Sequence, residues 1–185
     1  DSAFLLCSKI TSIIINLSKG TKIGNSAFKN CEQLEKINFI VENGASLEIG
    51  QSTFESCKKL EKVNFNSPNL FGENCLCVKS SAFKNCECLK EFKFPENCNG
   101  DIGTNCFEGC KNLSHVILPS NITKISKSMF KDCQNLKTIN LSEKEKITLI
   151  DEGAFDNCSK LNLTNLPQNL VKIGDKAFQK CSLLE

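Results

Sequence analysis

Apolar positions return along this chain in one fixed register. Phe4, Phe28, Phe54, Phe83, Phe107, Phe130, Phe155 and Phe178 are each followed three residues later by a cysteine: Cys7, Cys31, Cys57, Cys86, Cys110, Cys133, Cys158 and Cys181. Six residues after each phenylalanine comes Ile10 or a leucine, Leu34 through Leu184. Five residues before it stands Ile23, Ile49, Val78, Ile102, Ile125, Ile150 or Ile173. Nine and eleven residues after it come apolar pairs such as Ile37 and Phe39, Val63 and Phe65, or Val116 and Leu118. The blocks recur every 23 to 29 residues, a period that marks stacked repeats rather than a globule around one centre.

Two local structures follow from the spacing. The pairs nine and eleven residues on alternate with polar neighbours, and successive strand side chains point to opposite faces, so each repeat is expected to supply one short strand such as Lys36 to Phe39. The Ala-Phe-x-x-Cys-x-x-Leu stretch before it has spacings of three, which fit a helical or 3₁₀ turn with Phe, Cys and Leu inward. Every length difference between repeats falls in the link from the strand to the next Ile, 6 to 12 residues long. Insertions confined to one segment project from one face of a stack.

The full block, Ile-Gly-x-x-Ala-Phe-x-x-Cys-x-x-Leu-x-x-Ile-x-Leu-Pro, is cleanest over residues 102–119 and 173–184. It resembles the BspA-like (LRR_5) leucine-rich repeat family of bacterial and protist surface proteins, over essentially the whole chain. Thr53, Cys106 and Met129 depart from the Ala position, and Thr164 from the strand pattern, without breaking the register. Pro95, Pro119 and Pro167 follow strands where many leucine-rich repeats carry Asn. The resemblance implies a right-handed leucine-rich-repeat solenoid, with parallel strands on a concave side and turns on a convex side. It also implies cell-surface display and adhesion to host proteins or other cells.

Residues 1–185 read as one elongated domain of about seven repeats plus partial ends, expected to be a segment of a longer array. The 40% hydrophobic and 24% charged content suits a folded chain, and no run approaches the roughly 18 apolar residues that span a bilayer. A net charge of +2 is too small to point to nucleic acid or an anionic membrane. Trp and Tyr are absent, so a binding face lacks two of the usual hot-spot side chains.

Thirteen cysteines invite disulfides or metal, but eight share one column, where a thiol is a small core residue. Stacked strands lie about 4.8 Å apart with parallel Cβ vectors, poor geometry for a bridge, so free buried thiols are expected there. Of the other five, Cys106 takes the Ala position and Cys88 lies beside the column. Cys75 and Cys77 lie in the longest link and Cys98 in the next, so Cys98 could bridge to either. A zinc site from Cys75, Cys77, Cys86 and Cys88 would require Cys86 to leave its column.

No nucleophile elbow or phosphate loop is present, and no metal, cofactor or catalytic residue is assigned. His115, the single histidine, falls on an exposed strand position away from the inward thiols. Glu143 and Glu145 read as parts of a solvated link. Repeats bind through the surface they repeat, so the candidate interaction surface is the exposed strand positions Lys36, Asn38, Lys62, Asn64, Glu91, Lys93, His115, Thr138, Asn140 and Asn165, continued by Ser12, Ile14, Ile117 and Leu163. Lys36, Lys62 and Lys93 form a basic stripe that favours an acidic partner. Asn16, Asn112, Asn121, Asn140, Asn157 and Asn162 are glycosylation sequons should the chain enter a secretory pathway. The reading is a non-enzymatic protein-interaction module at a cell surface. An intracellular scaffold in a cytoskeletal assembly is the alternative, since unpaired thiols suit a reducing compartment.

Overall fold

The computed structural model describes residues 1–96, 98, 101–141 and 144–184, with only the backbone of residues 73 and 74; Glu143 lies outside them. The strands are β1 (Ser12–Leu17), β2 (Thr21–Ile23), β3 (Lys36–Val41), β4 (Ala45–Ile49), β5 (Lys62–Asn66), β6 (Phe71–Val78), β7 (Glu91–Lys93), β8 (Asp101–Ile102), β9 (His115–Ile117), β10 (Lys124–Ile125), β11 (Thr138–Ile139), β12 (Leu149–Ile150) and β13 (Lys172–Ile173). All pair in parallel. One face of the solenoid carries β1-β3-β5 and then β7-β9-β11; a second carries β2-β4-β6-β8 and then β10-β12-β13.

Most rungs therefore have two strands, where one per repeat was expected. The first is the anticipated strand, and in β3 it runs on to Val41. The second ends on the Ile or Val five residues before the phenylalanine, and in β4 Ala45, Leu47 and Ile49 are buried in alternation. Cys75 and Cys77, read as link residues, belong to such a strand, β6. The rung after Phe155 departs the other way, because no strand forms at residues 162–165. Thr164 occupies the inward position there and is exposed, while Leu163 packs partly against the core. A hydroxyl-bearing side chain gives that position too little apolar area to anchor it.

The convex blocks are turns rather than helices. Each closes with i→i+3 bonds, as a 3₁₀ turn does: Lys29 N–H donates to Ser26 O at 3.2 Å and Cys31 N–H to Phe28 O at 3.1 Å. Propagation stops because residues two before and two after every phenylalanine are left-handed, for instance Ser26 (φ 54°) and Asn30 (φ 61°), or Asn105 (φ 57°) and Gly109 (φ 73°). Ser, Asn, Asp and Gly fill most of these positions; Gly, Asn and Asp tolerate this conformation well, and Ser is small and common in turns. The freed N–H groups reach the next rung. Phe28 donates to Thr53 O at 2.8 Å, Phe83 to Cys106 O at 2.9 Å and Phe130 to Ala154 O at 2.8 Å, so the turns form a third hydrogen-bonded ladder.

Inside this ladder the eight column phenylalanines stack face to face. Successive centroids lie 4.9 to 5.6 Å apart and the rings tilt by 4° to 16°. Stacked, offset rings at this spacing add to their area burial. Phe107 is 0% exposed whereas Phe4, on the first rung, is 45% exposed; burial of each rung comes from its neighbours. A second aromatic cluster, Phe39, Phe65, Phe71, Phe92 and Phe94, fills the space beneath the first face.

Candidate interaction surface

The strand alternation decides which side chains reach solvent on the β1/β3/β5/β7/β9/β11 face. Ile37, Phe39, Phe92 and Val116 turn inward and are buried. Lys36, Lys62, Lys93, His115 and Thr138 turn out and are exposed; Asn38, Asn64, Glu91 and Asn140 are half-buried. Parallel register sets Lys36 opposite Lys62 and Asn38 opposite Asn64. It also sets Glu91 opposite His115 and His115 opposite Thr138. These nine residues thus share one surface. Asn165 is exposed outside any strand, beside a small depression that Thr138 and Ile139 also line.

The surface is not continuous sheet. Among the described residues β5 pairs with β3 but not with β7, and the interruption falls where Phe92 takes a place held by Ile37, Val63 and Val116 in other rungs. Phe92 wedges between Phe83 (5.1 Å) and Phe107 (5.0 Å). Over the interruption lies a groove of about 1050 Å³, its lining apolar at Val63, Phe65, Pro68, Phe94, Pro95, Ile117 and Leu118 and polar or charged at Lys62, Asn64, Asn66, Glu91, Lys93, Glu96, Asn140 and Lys144. A neighbouring depression of about 460 Å³ adds His115 and Thr138, and another of about 320 Å³ adds Lys36, Glu61 and Lys90.

Charge on this face is partly satisfied. Lys90 reaches Glu61 at 2.9 Å and Lys93 reaches Glu91 at 3.5 Å. The Lys90 ammonium holds the Glu61 carboxyl below its ordinary pKa, first through their hydrogen bond and then through charge. Elsewhere the rungs are clipped by ion pairs such as Lys58–Glu32 at 2.7 Å and Lys84–Glu108 at 3.0 Å. Lys36 and Lys62 have no carboxylate within 4.0 Å among the described residues. Asn64 donates to Asn38 at 2.8 Å, Asn140 accepts from the Leu118 N–H at 2.8 Å, and His115 Nδ1 lies 2.6 Å from Thr138 Oγ1.

The sequons divide by how their amides are used. Asn140 is tied to Leu118, and Asn157 donates to Asp132 at 2.8 Å. Asn16, Asn112 and Asn162 are exposed.

The column thiols do more than fill space. Cys31, Cys57, Cys86, Cys110, Cys133, Cys158 and Cys181 each donate to the carbonyl of the preceding rung's phenylalanine, at 3.0 to 3.2 Å. Burial pushes Cys86, Cys106, Cys110 and Cys133 well up from the ordinary thiol range. Cys86 keeps its column place with its thiol on Phe54 O, so the four-cysteine zinc arrangement does not assemble. Cys75 and Cys98 were separate link residues in the sequence, and the fold brings their sulfurs to 3.0 Å.

A parallel solenoid with a front strand, a side strand and a cysteine-bearing turn in most rungs is a leucine-rich-repeat architecture. The chain belongs to the BspA-type leucine-rich repeat region family, which matches residues 1–99 and 76–185 in six copies. No curated protein matches the sequence. Among solved structures it is similar to the leucine-rich repeat protein of T. pallidum (TM-score 0.81, 24% identity), over 96% of this chain and 79% of that one. A leucine-rich repeat protein from Bacteroides ovatus is also similar (TM-score 0.67, 24% identity), over 91% of this chain and 49% of that one. At these identities the likeness establishes the fold. No helix among the described residues is long and apolar enough to cross a membrane.

Proposed function

We propose that this chain is a non-enzymatic interaction module that receives an extended, acidic protein segment along the β3–β9 face. The observation carrying this reading is the groove over the β5/β7 interruption, lined by Val63, Phe65, Phe94 and Lys62, with Lys36 in the adjoining depression; among the described residues neither lysine has a carboxylate within 4.0 Å. Asparagine side chains along the same strands offer donors and acceptors to a peptide backbone. Fluorescence polarisation with a labelled oligoglutamate peptide tests it. Binding should weaken with added salt and be lost in the Lys36→Glu/Lys62→Glu double variant. Absent binding, or binding indifferent to those substitutions, would sink the reading.

We place this module at a cell surface, in adhesion or recognition, on the strength of its family resemblance. Protease treatment of intact producing cells should remove it; protection until lysis would reverse the assignment. The intracellular scaffold draws its support from unpaired thiols, but seven column thiols are hydrogen-bonded inside the stack and shielded in either compartment.

A further inference from the structure

We propose that Cys75 and Cys98 are a built cross-linking site, which a small-molecule disulfide converts into an intramolecular disulfide joining two rungs. Their sulfurs lie 3.0 Å apart, inside ordinary sulfur contact, and both residues are 1% exposed. The fold assembles the pair. Between the register pairs Ala45↔Phe71 and Leu47↔Leu76, residues 72–75 of β6 stand opposite the single residue 46, so Cys75 lies in a bulge that leaves the regular ladder. The pairing Cys77↔Asp101 sets β8 beside β6, and Cys98, three residues before β8, is held by its N–H bond to Pro95 O at 3.3 Å.

The column thiols have no equivalent opportunity. Cys31, Cys57, Cys86, Cys110, Cys133, Cys158 and Cys181 are each committed to a phenylalanine carbonyl within a turn, whereas Cys75 and Cys98 occupy a bulge and a link and face each other, a small disulfide reaching them through local opening. Hydrogen bonding from Cys98 lowers the Cys75 thiol pKa, making Cys75 the better attacking group. Cys77, half-buried nearby, is disfavoured: burial raises its pKa, and its thiol donates to Asp101 at 3.4 Å.

The exchange balances. The Cys75 thiol gives its proton to solvent and the thiolate attacks one sulfur of the small disulfide, expelling one thiolate, which is protonated. Cys98, likewise deprotonated, attacks the Cys75 sulfur of the mixed disulfide and expels the second thiolate. Two protein S–H groups are oxidised to one S–S bond, and the small disulfide is reduced to two thiols.

The test is non-reducing peptide mapping by mass spectrometry after incubating the whole chain with oxidised glutathione. A Cys75–Cys98 linked peptide, lighter by two hydrogens than the two thiol peptides together, is expected, while the seven carbonyl-bonded column cysteines stay free. Cys77→Ser should keep the link, and Cys75→Ser or Cys98→Ser should abolish it. Should those two variants fail to fold, the wild-type and Cys77→Ser maps still decide. A link from Cys77 to Cys98, or free Cys75 and Cys98 beside glutathionylated Cys77 and Cys88, would overturn the proposal.

Discussion

The Cys110 thiol donates to the carbonyl oxygen of Phe83, one rung back, at 3.1 Å. That same oxygen accepts the Cys86 N–H at 3.2 Å, so it is bonded both within its own turn and to the next. A carbonyl has two lone pairs, and a buried one left short costs stability. Cysteine is small enough for the crowded turn and still carries a donor. Cys110→Ala should therefore cost about 1 to 2 kcal/mol, the lost bond plus a small void. Infrared spectroscopy distinguishes the bond from packing, because bonded thiols should show a lowered S–H stretching frequency in the folded protein that denaturation removes.

The same burial predicts how stability depends on pH. Cys86, Cys106, Cys110 and Cys133 have folded pKa values raised above the ordinary 9.0 by burial. A raised pKa means stability fully present below the unfolded value and lost as pH rises towards the folded value. Above about pH 9 the unfolded chain sheds protons that the folded chain retains, so unfolding becomes easier. Urea midpoints measured between pH 8 and 10 should fall, and fall less steeply in Cys110→Ala. A flat profile would mean these thiols ionise without unfolding.

Phe107→Ala removes a ring stacked between Phe83 (5.6 Å) and Phe130 (5.6 Å) and should cost about 3 to 5 kcal/mol. Hydrogen exchange should report lost protection in the rungs on both sides, because each rung is buried by its neighbours. Damage confined to one rung would contradict the ladder as the unit of stability.

Gly103 marks a place where two rungs touch backbone to backbone. A methyl group there would meet the Ser80 amide nitrogen and lie 2.6 Å from the Lys79 carbonyl carbon. Gly103→Ala should destabilise by about 2 to 3 kcal/mol, as overpacking against immovable backbone does. Gly20 has φ +80° but open space around it, so Gly20→Ala should cost only about 1 kcal/mol of left-handed strain. Equal thermal shifts for the two would refute the close-approach account.

Lys36 and Lys62 face each other across paired strands with like charges. Lys36→Glu turns the repulsion into attraction and should stabilise the fold by about 0.2 to 1 kcal/mol. The same variant should weaken oligoglutamate binding. Opposite signs in calorimetry and polarisation would mark a surface where stability yields to recognition; a loss in both would mean the lysines are structural.

The repeating Phe, Cys and Leu positions made the solenoid, its front strands and its column legible in advance, because each signal is repeated eight times. The second strand was harder to see. Lys124–Ile125 and Leu149–Ile150 are two residues long, and two residues carry no period; β4 shows a five-residue alternation that reading the links could have found. For the turns, spacing by three left a helical and a 3₁₀ form open, and the structure takes the i→i+3 form. The recurring Ser, Asn, Asp or Gly two residues either side of the phenylalanine was the available sign that the turn would not become a helix.

Among the surface residues, alternation alone sufficed to put nine of the ten candidates on one face, since a strand side chain points up or down by parity. Asn165 escaped the rule because Thr164 removes the inward anchor on which the rule depends. The sequence by itself determined the period, the inward columns and the outward stripe, all properties of local pattern repeated along the chain. The groove over the β5/β7 interruption, the carbonyl that each thiol serves and the meeting of Cys75 with Cys98 were decided only by tertiary structure. Each depends on how residues more than twenty positions apart are brought together by stacking, and no local pattern encodes that distance.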